Sequence, residues 1–190
     1  MNESQNNIVV GVSGQRVFVK VHGKANSQNG QPFCQFSNEI IKRGFREFVV
    51  DLAECSYMDS TFLGVLAGIS LRLMPLNGRI HLANLNPRCG ETVASLGIDR
   101  LSTVDTCDFR MPASANGDQF PPPDTLQPLA APQTGPANAE SKARCAEMMI
   151  EAHRTLMQID PQNIPKFKDC VRFLAEDLEK LRAAQKHSDS

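Results

Sequence analysis

The chain predicts an α/β protein: a small, mainly parallel mixed sheet of four or five strands alternating with helices, then a Pro-rich linker and a C-terminal helical hairpin. Three observations predict it. Short β-branched runs alternate with amphipathic stretches up to about residue 105. One of them, Phe48–Leu52 (FVVDL), reads as a near-continuous apolar run, as expected of a central parallel strand covered on both faces. The composition then breaks. Residues 111–139 hold seven of the twelve prolines and no basic residue, and from Glu140 onward the sequence is charged and helical.

Taken in order, Ile8–Val12 and Val17–Val21 are β-branched runs separated by Ser13-Gly14-Gln15, which predicts a hairpin. Phe33, Phe36, Ile40 and Ile41 keep the 3–4 spacing of an amphipathic helix, with Gly44 as its stop. After the central strand, helix signals run from Ser60 to about Met74, ended by Pro75 and the turn pair Asn77-Gly78. Arg79–Ala83 alternates as a strand. Asn86-Pro87 opens a third helix as N-cap and first residue, and Gly97 closes it. Ser102–Val104 reads as a last short strand. Strands alternating with helices imply right-handed crossovers.

Prolines that remove donors and fix φ make 111–139 a flexible, semi-extended linker between a unit over 1–110 and a hairpin over 140–190. In the hairpin, Cys145, Met148, Met149, Ala152, Leu156 and Ile159 form one apolar stripe, and Phe167, Val171, Leu174, Leu178 and Leu181 another. Asp160 and Asn163 are capping candidates in the break between them. Two stripes this short bury little, so the hairpin must dock on the first unit, on its own copy or on a partner. A partner or self-association surface is expected of it.

Several function classes are excluded by composition. Net charge is −1, with no Trp and one Tyr, which supports neither phosphate-backbone binding nor base stacking. No apolar run approaches a bilayer span and the polar start is no signal peptide, so a cytoplasmic protein away from the membrane is expected. The six cysteines are dispersed without a C-x-x-C or a nearby His, which argues for reduced core thiols and against a metal site. No Gly-rich phosphate loop and no G-x-S-x-G elbow occurs, so neither a cofactor nor catalytic residues are expected. His22, His81, His153 and His187 are scattered and read as structural or solvated.

The informative stretch is Val49–Gly68, VVDLAECSYMDSTFLGVLAG. A buried strand ends at Asp51-Leu52, a short loop follows, and Met58-Asp59-Ser60-Thr61 leads into a helix whose only charge is Arg72. A helix apolar all round needs cover on both sides. On chemistry alone Asp59 and Ser60 are N-cap candidates.

The pattern D-L-x-x-x-x-x-M-D-S-x-x-L-G-V-L-x-G resembles the signature of STAS domains of the anti-sigma factor antagonist type, over roughly residues 8–110. The resemblance implies a binding module and not an enzyme. Its serine, carried over as Ser60 with Thr61 as a lesser second acceptor, would be phosphorylated by a kinase-type anti-sigma factor and restored by a PP2C-type phosphatase. Only the unphosphorylated form would bind the anti-sigma factor. The implied partner surface comprises Asn26, Met58, Asp59, Ser60, Thr61, Phe62 and Leu63. Two departures stand out: Thr61-Phe62 adds bulk where small residues are usual, and Asn26 replaces an acid. A STAS module acting as an unmodified subunit of a transport or signalling assembly is the alternative, and the tail, which lies outside the resemblance, keeps it open.

Overall fold

The computed structural model describes residues 7–105, 127–129 and 139–188. The linker expected over 111–139 therefore lies outside the described residues except at 127–129 and its last residue, and Cys107 and the His187 side chain lie outside as well. Among the described residues seven strands form the sheet. Strands β1 (Asn7–Ser13) and β2 (Arg16–Ala25) make the expected antiparallel hairpin, turning at Gly14 with φ +56°. Helix α1 (Ser27–Lys42) leads to β3 (Glu47–Asp51), then a short β4 (Cys55–Met58) and α2 (Ser60–Leu73). Strand β5 (Arg79–Ala83), α3 (Pro87–Ser95) and β6 (Thr103–Asp105) complete the alternation. Residues Gln127–Pro128 form β7 on the free edge of β1. The spatial order is β6-β5-β3-β2-β1-β7, with β4 paired to the far end of β2.

Strands β2, β3, β5 and β6 are mutually parallel, so the fold class is the predicted one. The sheet is larger than four or five strands for two local reasons. Cys55–Met58 buries only its two ends and so lacks strand alternation in sequence, yet it pairs in parallel with β2 past a register shift at Gly23/Lys24. Strand β7 arises within the expected linker. The helix boundaries hold at Ser60, Asn86 and Gly97, but α1 begins at Ser27, six residues before its first Phe. Asn26 and Asn29 form a reciprocal capping box there, which overrides the turn-like Asn-Gly and Gln-Pro pairs that follow.

The tail consists of α4 (Ala139–Ile159) and α5 (Ile164–Ser188), joined by a tight turn at Asp160–Asn163. Of the three docking options open in the sequence, the structure takes the first. Met148, Ala152 and Leu156 of α4 belong to the same core as the sheet, and Leu156 is fully buried. The second stripe divides: Phe167 packs against the main core, while Val171, Leu174 and Leu178 pack with Ala143, Ile150 and Met157 inside the hairpin. Among the described residues of the tail, the exposed large apolar side chains are Ile164 and Phe173, which lie outside that buried stripe.

The contact between α2 and α4 is close because α2 presents small residues at four-residue spacing, Ser60, Gly64 and Gly68. A Cβ on Gly64 would collide with the Ala152 carbonyl. Polar ties fix the seat. The buried Asn163 amide donates to the carbonyl oxygens of Leu96 (3.1 Å) and Leu156 (2.9 Å). Lys166 Nζ donates to Ser95 O at 3.1 Å. Ion pairs Arg72–Glu151 (3.5 Å) and Arg100–Asp160 (3.6 Å) flank the contact.

Cys34, Cys55, Cys89, Cys145 and Cys170 are free thiols. Burial, with Cys89 beside it, pushes the Cys55 thiol up to about 11, and burial also raises Cys34 and Cys145. Such thiols stay protonated near neutrality and act as small core fillers.

Because the core runs through sheet, α2 and α4, Leu156→Ala is expected to cost about 2–5 kcal/mol in urea unfolding. The loss should appear in one transition shared by sheet and tail. Gly64→Val should detach the hairpin instead, with faster amide exchange over 139–159 and protected exchange retained in β2, β3 and β5. Unchanged exchange in α4 would show that the close approach at Gly64 is dispensable.

Candidate functional site

Strands β2 and β4 run parallel and end together, so α1 and α2 start side by side at one edge of the sheet. Asp59 joins the two starts. Its Oδ1 accepts from Phe62 N at 2.8 Å, capping α2, while Oδ2 accepts from Ser27 N at 3.2 Å, on the first residue of α1. Its own amide donates to Ala25 O at 3.0 Å. One carboxylate therefore meets the orphan amides and the positive ends of two helices, a favourable place for a negative charge. Asn26, at the same edge, accepts from Gln28 N and Asn29 N as the α1 cap. The amide that stands in place of an acid thus has a local structural duty.

Ser60 is the first residue of α2 and is half-buried. Its Oγ lies 2.9 Å from Nε2 of His153 on α4, and His153 Nδ1 lies 2.7 Å from Met149 O. A carbonyl oxygen only accepts, so Nδ1 carries hydrogen. In the neutral ring Nε2 then accepts the Ser60 hydroxyl proton. His153 is 3% exposed and tilts against Phe167, with ring centres 5.1 Å apart. Sequence reading placed this histidine with three others as structural or solvated. It is structural in its burial, but it is also the hydrogen-bond partner of Ser60. The signal was faint: a lone His beside the apolar stripe of α4, 93 residues away from its partner.

The other residues of the expected partner surface divide by burial. Asn26 and Asp59 are half-buried at the edge with Ser60. Met58, Thr61, Phe62 and Leu63 are buried side chains. Phe62 stacks on Phe33 of α1, with centroids 5.6 Å apart, and its bulk is taken up opposite Gly30, where a Cβ would come within 3.6 Å of the ring.

Next to Ser60 opens a cleft of about 430 Å³, walled by Tyr57 and Met58, by α3, and by Lys166 and Phe167 at the start of α5. Among the described residues that line it are two cations, Arg88 and Lys166, and no carboxylate. Arg88 lies over the Tyr57 ring, 5.9 Å from its centre. Lys166 Nζ donates to the Asn163 side chain at 3.1 Å besides Ser95 O. Among the described residues no group of three or more His, Cys, Asp and Glu is placed to hold a metal ion.

A family model described as "Mlab, STAS domain" matches residues 8–104, just over half of the chain. Comparison with the curated proteins returns no match. Among solved structures, a candidate anti-sigma factor antagonist of Thermotoga maritima is 18% identical with a TM-score of 0.47, covering 50% of this chain and 82% of that one. The Bacillus anti-sigma factor antagonist SpoIIAA, in its unphosphorylated form, is 18% identical with a TM-score of 0.48, over 52% of this chain and 88% of that one. The murine anion transporter Slc26a9 is 20% identical with a TM-score of 0.40, over 49% of this chain and 16% of that one. On the family model, which spans β1 to β6 and includes the Met58-Asp59-Ser60 turn, this chain belongs to the STAS domain family.

Proposed function

We propose that the chain is a partner-switching regulator of the anti-sigma factor antagonist kind, a protein-binding module and not an enzyme. Unphosphorylated, it binds a kinase-type anti-sigma factor through the edge formed by Asn26, Asp59 and Ser60. Phosphorylation of Ser60 by that partner ends the complex, and a PP2C-type phosphatase restores it. The observation that carries this reading is the Ser60 hydroxyl itself. It stands on the first turn of α2, open to a cleft, with the proton acceptor His153 Nε2 at 2.9 Å. An acceptor at hydrogen-bond distance makes a hydroxyl a better nucleophile towards an incoming phosphoryl group. The helix N-terminus tolerates the product charge. Thr61, 3% exposed, is the poorer acceptor.

In this reading residues 1–110 are the switch unit and 140–190 an accessory hairpin, with Ile164 and Phe173 available for self-association. No helix among the described residues is long and apolar enough to cross a membrane, and we place the protein in the cytoplasm, without nucleic acid. One observation favours the alternative of an unmodified subunit in a transport or signalling assembly. The hairpin already occupies the outer face of α2 and satisfies the Ser60 hydroxyl.

Capture from the native cell, with phosphopeptide mapping after ATP addition, separates the two. Ser60→Ala should keep partner binding and lose the phosphate. Ser60→Asp should weaken binding at least tenfold, with a melting temperature close to that of the unsubstituted chain. Phosphate found only elsewhere, or normal binding by Ser60→Asp, would leave the subunit reading in place.

A further inference from the structure

We propose that the tail reads the state of Ser60: Arg88 and Lys166 form a phosphate clamp over it, so phosphorylation fastens the hairpin onto α2 instead of expelling it. The inference rests on Ser60 being the phosphoacceptor and names the regulation of that site.

The parts of the clamp come from both halves of the molecule. Ser60 and Arg88 belong to the STAS domain, while His153 and Lys166 belong to the hairpin. Arg88, Lys166 and Ser60 line one cleft, whose volume of about 430 Å³ leaves ample room for a phosphoryl group. Neither cation has a carboxylate partner among the described residues: Arg88 rests on the Tyr57 ring, and Lys166 is held by two neutral oxygens. Asp59, the carboxylate next to Ser60 in sequence, has both oxygens engaged with helix amides. Two cations and a hydroxyl that line one cleft offer charge and hydrogen-bond donors to an anion attached at that hydroxyl.

Phosphoryl transfer from a nucleoside triphosphate forms the Oγ–P bond and breaks the bond to the departing diphosphate. It also releases the hydroxyl proton, and His153 Nε2 already lies on that proton at 2.9 Å. With the proton on Nε2 the ring donates to a phosphate oxygen while Nδ1 keeps its bond to Met149 O. A neutral hydrogen bond between domain and tail is thereby exchanged for charge-assisted ones to His153 and Lys166, with Arg88 closing from the domain side. A partner that needs the outer face of α2 then meets a hairpin held more firmly in place. Release on phosphorylation follows from closure of the chain on itself, not from repulsion alone.

The test uses the full chain with phosphoserine installed at position 60 during translation, read by amide exchange over 139–159 and 164–183. The phosphate should slow exchange there roughly tenfold or more, the scale of a single charge-assisted hydrogen bond. In the Arg88→Gln, Lys166→Gln double variant, compared with its own unphosphorylated form, the slowing should vanish. Exchange that is unchanged or faster with phosphate would overturn the proposal, and so would equal slowing in the double variant. Because the phosphate is installed synthetically, the outcome does not depend on a kinase. Mapping of native phosphosites tests the acceptor reading separately.

Discussion

Helix α2 is apolar on every side, and the rest of the architecture answers that constraint. Ten of its fourteen residues are buried, which no single layer can achieve, because a helix lying on a sheet leaves half its circumference in water. The sheet and α1 take one side through Phe33 and Phe62. The other side would be an exposed apolar strip without the hairpin. Met148, Ala152 and Leu156 supply that second cover and make the tail part of the core.

The same constraint determines how closely the tail sits. Ser60, Gly64 and Gly68 leave α2 with a shallow flank, so α4 approaches to backbone contact at Ala152. Apolar contact alone would hold a hairpin in many registers. The buried Asn163 between the Leu96 and Leu156 carbonyls, and Lys166 on Ser95 O, select one of them. A buried amide costs desolvation unless every bond is made, so a slipped register is penalised far more than the native one is favoured. Asp59 plays the equivalent part at the other end, tying α1 to α2 so that the edge bearing Ser60 has a fixed geometry.

Local chemistry made most of the fold legible. The FVVDL run, the Asn86-Pro87 start and the hairpin stripes each depend on neighbours a few residues apart, and each lies where its pattern placed it. Elements that depend on distant pairing were not legible. Strand β4 exists because β2 continues past its register shift, and β7 because β1 offers a free edge. The onset of α1 was masked by Asn-Gly and Gln-Pro, turn signals that a capping box outweighs. At the site, Ser60 could be located at a strand-to-helix handover from sequence, whereas its contact with His153 spans 93 residues and no periodicity records it. Phe62 and Leu63 read as candidate surface because they adjoin the serine, and only the packing on Phe33 and the shared core show them turned inward.

A docked tail changes what a switch at Ser60 has to accomplish. In a bare domain, a partner's affinity for the α2 edge would be its intrinsic affinity. With a resident hairpin, the apparent affinity falls by the fraction of molecules in which the face is open. Apolar burial, two ion pairs and a buried Asn favour the closed state and so lower that fraction. A modification that alters the hold by one strong hydrogen bond then shifts the open population roughly tenfold while leaving the sheet untouched. In the proposed switch the change is confined to the α2–α4 seam, where Ser60 meets His153, while strands β2, β3 and β5 keep their pairing.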